Sequence, residues 1–293
     1  MKIALIASDN NATSGAFLSM TNLALQLNQL GVETIIVIPP DGPFVGPGDG
    51  EAILKEKGLR YYVVPSISWV VPGWYPSSML VSLGQVKHIL KNKVYARELT
   101  KILKAEHVDL VHINTSYSYF GVFAAKRARI PYVWHIREFL EEDQGNRFYF
   151  PRYSHRLMSR ASLVIAISKS IYEKYSKVIT KEKIKVIYNG IDTEQFYMPG
   201  RRIFKDSQIT LCYVGGLSEL KGTDDLIEAC RLLNARGYKD SYRLLIAGRG
   251  NEAYEAQLRD RINQYELDNI EMLGFRTDVP QVMEQADVSI VTS

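Results

Sequence analysis

Three glycine-containing segments in the last third of the sequence have the residue types expected of a phosphate-binding wall. Each segment directly follows an apolar run, and their residues are Gly215 and Gly216, Gly248 and Arg249, and Gly274, Phe275 and Arg276. Lys221 follows the first segment and immediately precedes a stretch with helical periodicity. Because a lysine and backbone N–H groups at a helix start stabilise negative charge, this spacing predicts a site for a nucleotide diphosphate. Each glycine turn by itself is equally consistent with an ordinary turn.

A second group of polar side chains ends an apolar run in the first half of the chain. The segment Tyr132–Ile136 contains His135 and leads directly into Arg137 and Glu138. Open α/β sheets bind ligands at the carboxyl ends of their strands, where a histidine can donate a hydrogen bond to a sugar hydroxyl or a developing charge. A purely structural role for His135 is the alternative.

The loop after the first apolar run consists of small and polar residues, Ser8–Ala16, and leads into a helix at Gly15 and Ala16. The start of such a helix favours a negatively charged ligand. The loop lacks the Gly-x-Gly-x-x-Gly pattern, so dinucleotide binding is poorly supported. A tight strand–helix connection without a ligand is the other interpretation.

The elements that must position these residues alternate along the whole chain. Strands are predicted at Ile3–Ala7, Glu33–Ile38, Arg60–Val64, Leu110–Ile113, Tyr132–His135, Leu163–Ile167, Ile184–Tyr188, Ile209–Val214, Tyr242–Ala247, Ile270–Leu273 and Val288–Val291. Helices are predicted at Gly15–Leu30, Ala96–Glu106, Lys169–Lys177, Thr223–Ala235 and Glu252–Tyr265. Apolar strands that alternate with helices indicate parallel sheets covered on both faces.

The polar, turn-prone segment Phe196–Asp206 interrupts this alternation and is interpreted as a linker. We therefore expect an α/β protein with two doubly wound domains, residues 1–196 and 207–293, and an active cleft between them. The second domain is expected to be incomplete, because the chain stops just after a strand at Ser293. A small but complete second domain is the alternative.

Charge is spread unevenly along a chain whose formal net charge is only +4. The segment 151–185 holds nine Lys or Arg residues against Glu173 and Glu182, and Arg152, Arg156 and Arg160 have the spacing of one helix face. This pattern fits a solvated helix face or attraction to anionic headgroups and phosphorylated acceptors. No nucleic-acid partner is expected, because no recognised motif accompanies the modest charge.

Targeting and membrane signals are weak. The N-terminal apolar run is too short for a signal-peptide core, and no run approaches the length of a membrane span. We expect a cytoplasmic protein, with possible peripheral contact at the inner face of the membrane through residues 151–185. Two loops rich in aromatic residues, 65–76 and 144–153, suit sugar stacking, a membrane interface or ordinary packing.

Motifs along the whole chain resemble the retaining GT-B glycosyltransferases of family 4. The matching segments are Ser14–Ala16, Trp134–Glu138, Ala166–Ser170, Val186–Asp192 with Phe196, Val214–Gly222, Ala247–Gly250, Leu273–Phe275 and Ala286–Ser293. The resemblance implies two Rossmann-type domains and transfer of a sugar, with retention, from a UDP- or GDP-sugar to a hydroxyl acceptor. It also implies that no metal or other cofactor is needed, and the sequence has no Asp-x-Asp pair.

The resemblance implies roles for individual residues as well. It puts Gly15 and Ala16 against the donor diphosphate or acceptor and His135 near the transferred sugar. Lys221 would bind the diphosphate, together with the turns at 215–216 and 248–249, and the turn Gly274–Arg276 would face the nucleobase. The acceptor side is expected to contain Arg137, Glu138 and Asn189.

Two departures from the family pattern leave other interpretations open. Gly216 stands where the family usually has an arginine. Either Arg249 or Arg276 supplies the positive charge of that arginine, or the site lacks this charge. The family's paired-glutamate motif is expected beyond Ser293. A catalytically defective homologue that acts as a binding or partner subunit is the main alternative, and a nucleotide-sugar epimerase is a weaker one. A polysaccharide or lipid-linked glycan is the expected acceptor.

Overall fold

The computed structural model describes residues 1–42 and 48–292. The chain divides into two compact units, Met1–Asn189 and Gly190–Ser293. The predicted linker Phe196–Asp206 lies inside the second unit. The predicted domain limits, 1–196 and 207–293, stay a prediction.

The first unit is built on a seven-stranded parallel sheet. Its strands are β1 (Lys2–Ile6), β2 (Glu33–Ile38), β3 (Tyr61–Val63), β5 (Leu110–Ile113), β6 (Tyr132–Ile136), β8 (Leu163–Ala166) and β9 (Ile184–Val186), and a separate pair is formed by β4 (Val70–Pro72) and β7 (Asn146–Phe148). Its helices are α1 (Gly15–Gln29), α2 (Asp49–Glu56), α3 (Met79–Ala105), α4 (Phe120–Ala128), α5 (Pro151–Met158) and α6 (Lys169–Tyr175). The strand order is β3-β2-β1-β5-β6-β8-β9.

Alternate residues of the central strands enter two separate hydrophobic clusters. Ala4 and Ile6 belong to one cluster, whereas Ile3 and Leu5 belong to the other with Phe17 of α1. The sheet is therefore covered on both faces, which explains why its strands appear in the sequence as continuous apolar runs. The strand order reverses beside β1, and ligand sites of open α/β sheets form at such points.

The second unit contains a four-stranded parallel sheet in the order β12-β11-β10-β13. Its elements are β10 (Ile209–Val214), α7 (Thr223–Ala235), β11 (Tyr242–Ala247), α8 (Glu252–Gln264), β12 (Ile270–Gly274), α9 (Val279–Glu284) and β13 (Val288–Ile290). Here the order reverses beside β10. The α/β class and the parallel sheets predicted from the sequence are confirmed.

Three predictions about individual elements were wrong or incomplete. Helix α3 begins at Met79, well before the predicted start at Ala96. Its N-cap is Ser78, whose side chain accepts a hydrogen bond from the backbone N–H of Val81. Helix α5 ends at Met158, so Arg160 does not share a helix face with Arg152 and Arg156. Helices α2, α4 and α9 are further elements that were not among the helices named from the sequence.

The two aromatic loops noted in the sequence pair with each other. Val70 lies opposite Phe148 in the antiparallel strands β4 and β7, and the N–H of Gly73 donates to the carbonyl of Gly145 at 2.7 Å. Trp69 is 4% exposed and stacks on Tyr119, with ring centroids 4.3 Å apart. Ordinary packing therefore accounts for Trp69 and Phe148, whereas Trp74 in the same region is 81% exposed.

Candidate functional site

The glycine turns of the second unit interlock at the carboxyl ends of their strands. The N–H of Gly215 donates to the carbonyl of Ala247 at 3.0 Å, and the N–H of Gly248 donates to the carbonyl of Gly274 at 2.8 Å. A Cβ added to Gly248 would stand 1.8 Å from the carbonyl oxygen of Gly215. Only glycine permits this approach, so the predicted wall is a single, closely packed backbone surface.

Lys221 lies beside this wall, at the end of a short turn before helix α7. The turn is fixed by Gly222, whose φ is +62° and whose added Cβ would meet the carbonyl oxygen of Thr292 at 2.6 Å. The hydroxyl of Thr292 also donates to the backbone carbonyl of Lys221. Lys221 itself is exposed, so its ammonium group is available to a ligand.

The two arginines of the wall, Arg276 and Arg249, differ in whether an acidic side chain pairs with them. Arg276 forms an ion pair with Asp278, with 2.7 Å between Nε and Oδ1, and this pairing raises the pKa of Arg276. Arg249 has no acidic partner in the described residues, and its guanidinium lies 5.4 Å from the ring centroid of Phe275. The N–H of Leu217 donates to the carbonyl of Arg249, which binds this turn directly to the one containing Gly216.

In the first unit, the guanidinium of Arg137 donates hydrogen bonds to three other segments at the carboxyl edge of the sheet. Its Nε donates to the carbonyl and Oδ1 of Asn114, at 3.2 and 3.1 Å. Its Nη1 donates to the Oγ of Ser19 at 2.9 Å and to the Oδ1 of Asn189 at 2.7 Å. Asn114 also donates to the carbonyl of Ala16 in the first turn of α1, at 3.0 Å. Arg137 and Asn189, both predicted as acceptor-side residues, are thus in contact.

His135 lies next to a second histidine. Its Nδ1 is 3.2 Å from the Nε2 of His112 on β5, and both side chains are 6% exposed. Burial, followed by the charge of Arg137, lowers the pKa of both imidazoles far below the usual value, so both are neutral near pH 7. The Nε2 of His135 has no hydrogen-bond partner in the described part of the chain. A buried unpartnered nitrogen of this kind indicates a position that a ligand or water completes.

The Glu138 side chain is buried inside the protein. It is 9% exposed and accepts hydrogen bonds from the backbone N–H groups of Ser116 and Arg137. Burial raises the pKa of its carboxyl group to about 7 despite these bonds and the neighbouring Arg137. Glu138 therefore holds two loops together, and a direct contact with an acceptor would require it to be uncovered.

The start of helix α1 is open. Gly15 is exposed, and a Cβ added there would meet no atom within 4 Å. Ser14 caps the helix by accepting from the N–H of Phe17 at 3.3 Å. Asp9 is half-buried and accepts hydrogen bonds from the hydroxyls of Ser8 and Ser14, and its partial burial raises the pKa of the carboxyl group.

Sequence reasoning missed three residues of this edge: His112, Asn114 and Ser19. His112 and Asn114 were detectable in principle, because they end a predicted strand that parallel pairing brings beside Tyr132–Ile136. Ser19 carries no such signal, since it lies within a helix and reaches Arg137 only through the fold.

Comparison with known proteins gives the family. Residues 13–195 match Glycosyltransferase Family 4, and residues 199–293 match Glycosyl transferases group 1. The chain belongs to Glycosyltransferase Family 4. The resemblance to the glycosyltransferases of family 4 noted in the sequence is therefore confirmed, whereas transfer with retention stays a prediction.

Relatives and solved structures agree with this membership. WcaL of Escherichia coli (strain K12), named for colanic acid biosynthesis as a glycosyltransferase, is 32% identical over 59% of this chain and 44% of its own length. The GDP-mannose:cellobiosyl-diphosphopolyprenol alpha-mannosyltransferase of Xanthomonas campestris is 34% identical over 44% of this chain and 34% of its own length. The matched regions thus span less than half of either relative.

Among solved structures, Anabaena Alr3699/HepE in complex with UDP and glucose has a TM-score of 0.71 at 23% identity, over 100% of this chain and 74% of that one. At this identity the likeness concerns the fold alone, and it confirms the predicted GT-B-like fold class with two Rossmann-type domains. No helix within residues 1–42 and 48–292 has both the length and the apolar character to cross a membrane.

Proposed function

We propose that this protein moves a sugar from a nucleotide-sugar donor to a hydroxyl acceptor, with retention, in the synthesis of a bacterial cell-surface polysaccharide or glycolipid. The observation that carries the proposal is the interlocked glycine wall beside Lys221 in a chain of Glycosyltransferase Family 4. The name of the Xanthomonas relative supports a lipid-linked glycan as acceptor and a GDP-sugar as donor, whereas the UDP bound to Alr3699/HepE supports a UDP-sugar.

In this proposal the second unit binds the donor. The backbone at Gly215, Gly216 and Gly248 lines the diphosphate, and the ammonium of Lys221 neutralises its growing charge. The turn of Gly274 and Phe275 faces the nucleobase. Between the two candidate replacements for the missing arginine at position 216, Arg249 is favoured, because the charge of Arg276 is already paired with Asp278.

The first unit supplies the groups around the transferred sugar and the acceptor. His135 acts as a neutral hydrogen-bond donor through the unpartnered Nε2, because burial disfavours its charged form. Arg137 fixes Asn189 at the same edge, and the start of helix α1 at Gly15 and Ala16 faces the donor phosphates or the acceptor.

The proposed reaction is a front-face displacement. The bond between the anomeric carbon and the diphosphate oxygen breaks, while a bond to the acceptor oxygen forms on the same side of the ring. The acceptor proton passes to the departing phosphate oxygen. We propose that no metal is required, because Lys221 and Arg249 carry the charge of the leaving group, and we expect a chelator to leave nucleotide affinity unchanged.

Nucleotide titration by calorimetry tests the proposal. UDP and GDP are titrated into the chain and into the variants Lys221→Ala and Lys239→Ala. Removal of Lys221 is expected to weaken binding of the preferred nucleotide about tenfold or more, since an ammonium–phosphate contact contributes roughly 1.5–3 kcal/mol. Lys239, which pairs with Asp268 on the surface, is the matched control and should leave affinity unchanged. If neither nucleotide binds, or if both variants behave alike, the donor site does not lie at these turns.

The glycine at position 216 favours a second candidate function, that of a binding or partner subunit without transfer activity. This candidate predicts nucleotide binding without any release of sugar from the nucleotide. Product analysis with a radiolabelled UDP- or GDP-sugar and a membrane extract as acceptor separates the two, because only a transferase yields labelled lipid or polysaccharide.

A peripheral membrane contact through residues 151–185 belongs to the same proposal. Arg152, Arg156 and Arg160 are exposed and support it. Lys174 contributes less, because Glu141 and Glu142 both bind its ammonium group.

A further inference from the structure

The N-terminal half of helix α3 exposes an apolar stripe. Positions 79, 83, 86, 90 and 94 recur every three or four residues and therefore share one helix face. Their side chains are exposed by 80% at Met79, 51% at Leu83, 43% at Val86, 54% at Leu90 and 54% at Val94. A different face of the same helix is buried against the sheet through Ala96, Leu99 and Leu103. The stripe is thus a second apolar face that the fold itself does not cover.

Trp74 is a further exposed apolar side chain and lies in the segment just before the helix start at Met79. It is 81% exposed in the turn that connects β4 to α3. The turn is held by Arg147, which donates to the carbonyl of Tyr75 at 2.7 Å and to the Oγ of Ser77 at 3.0 Å. An exposed tryptophan in the segment that leads into an apolar helix face is typical of a surface that meets the headgroup region of a bilayer.

Positive charge surrounds the stripe. The helix Met79–Ala105 contains six Lys or Arg residues and one acid, Glu98. Lys87, Lys91 and Lys93 lie alongside the apolar positions, and none has an acidic partner in the described residues. An apolar face bordered by unpaired lysines complements a surface that is apolar inside and anionic at its rim.

A pocket beside the stripe also combines apolar side chains with positive charge. It has a volume of about 710 Å³ and lies between the helix, at Ile89 and Lys93, and residues 149–153. Tyr149, Phe150 and Tyr153 give it an aromatic lining, and Lys93 and Arg152 are its two cations. Space for an acyl chain therefore lies next to positions where a phosphate would be attracted.

We propose that Trp74, the apolar stripe and Lys87, Lys91 and Lys93 form a docking face for an anionic phospholipid bilayer. Exposed apolar patches with a polar rim mark interaction sites in soluble proteins, and the unpaired lysines select an anionic partner. The face lies on α3, outside the basic segment 151–185, and only Arg152 connects the two through the pocket. The proposal does not depend on sugar transfer.

Vesicle co-sedimentation of the whole chain tests the proposal. Vesicles of phosphatidylcholine are compared with vesicles of phosphatidylcholine and phosphatidylglycerol. The test variant is Leu83→Gln with Leu90→Gln, and the matched control is Leu30→Gln with Leu232→Gln, two leucines exposed by 78% at the C-cap of α1 and by 44% on α7. Leucine and glutamine have similar helix propensities, so both variants should fold like the parent, which thermal unfolding verifies.

The parent and the control should bind anionic vesicles at least tenfold more tightly than neutral ones. The test variant should lose about tenfold or more of this affinity. Each of Lys87→Gln and Lys91→Gln should cost roughly fivefold on anionic vesicles alone. Because Trp69 and Trp134 are buried, a blue shift of tryptophan emission on binding should come from Trp74 and disappear in Trp74→Phe.

Several outcomes would overturn the proposal. These are absence of binding by the parent, equal binding to neutral and anionic vesicles, and equal losses in the test and control variants. Self-association of the parent that the test variant abolishes, without vesicle binding, would identify a second copy of the chain as the partner. Because no arm measures transfer or nucleotide binding, failure here is distinct from failure of the proposed function.

Discussion

Replacement of Gly248 by alanine tests the close approach of the turns in the second unit. A Cβ at this position would stand 1.8 Å from the carbonyl oxygen and 3.0 Å from the carbonyl carbon of Gly215. Both atoms belong to the backbone, so no side-chain rotation relieves the clash. The adjacent turn offers a matched control in Gly216, where the nearest atom to an added Cβ, the carbonyl oxygen of Arg249, is 4.0 Å away.

The size of the effect follows from the bonds that must move. Ordinary contact requires the two turns to separate by more than 1 Å or so, since closer Cβ contacts are overpacked and cost about 1–3 kcal/mol. Such a shift strains the bonds from Gly215 to Ala247 and from Gly248 to Gly274, each contributing roughly 1 kcal/mol. We expect Gly248→Ala to lower the free energy of unfolding of the second unit by about 3 kcal/mol. Gly216→Ala should change it by about 0.5 kcal/mol or less.

Thermal and urea unfolding of the two variants and the parent measure this difference. For a unit of this size a loss of 3 kcal/mol corresponds to a fall in Tm on the order of 10 °C. A Gly248→Ala variant whose Tm stays within about 2 °C of both the parent and Gly216→Ala would refute the interlocked arrangement. It would also remove the physical basis for treating the turns as one wall.

Three further predictions concern charge. Burial raises the pKa of the Glu138 carboxyl group from 4.5 to about 7 in the folded chain. The same carboxyl group loses its proton at a lower pH in the unfolded chain, so the free energy of unfolding falls as pH rises from about 4.5 to 7. The total fall is roughly 3 kcal/mol at most. Glu138→Gln should flatten the dependence of Tm on pH between about 4.5 and 7, and an unchanged slope would contradict the raised pKa. Arg137→Lys should cost about 2 kcal/mol in urea unfolding and release Asn189, because a lysine cannot donate to all three segments that the guanidinium joins; a cost near zero would contradict this role. Gly216→Arg should tighten nucleotide binding several-fold in calorimetry, since an added Cβ at this position meets no atom closer than 4.0 Å and a guanidinium can bind phosphate oxygens; unchanged affinity would indicate that the diphosphate lies elsewhere.

Several features of the fold were predictable because their signals are local. The strands Glu33–Ile38, Ile209–Val214 and Tyr242–Ala247 appear in the structure with the predicted bounds, since each is an apolar run between turns. The start of α3 was missed for a related reason. In its first half the apolar side chains lie on an exposed face, whereas the buried positions are the polar Gln85 and Asn92, so the single-faced pattern that identifies a helix is obscured.

The sequence by itself determined the class of the fold and the types of residue at the site. Continuous apolar strands require a sheet covered on both sides, and glycines after those strands require tight turns at its carboxyl edge. Both requirements concern neighbouring residues, so they can be read without coordinates.

Only the tertiary structure decided which of these residues meet and in what state of charge. The contact of His135 with His112, the hydrogen bonds of Arg137 to three other segments and the burial of Glu138 all depend on parallel pairing of strands that are distant in the sequence. The choice of Arg249 over Arg276 depends in the same way on a single ion pair to Asp278. Hydrogen bonds and pKa values are set by three-dimensional neighbours and burial, neither of which a local pattern specifies.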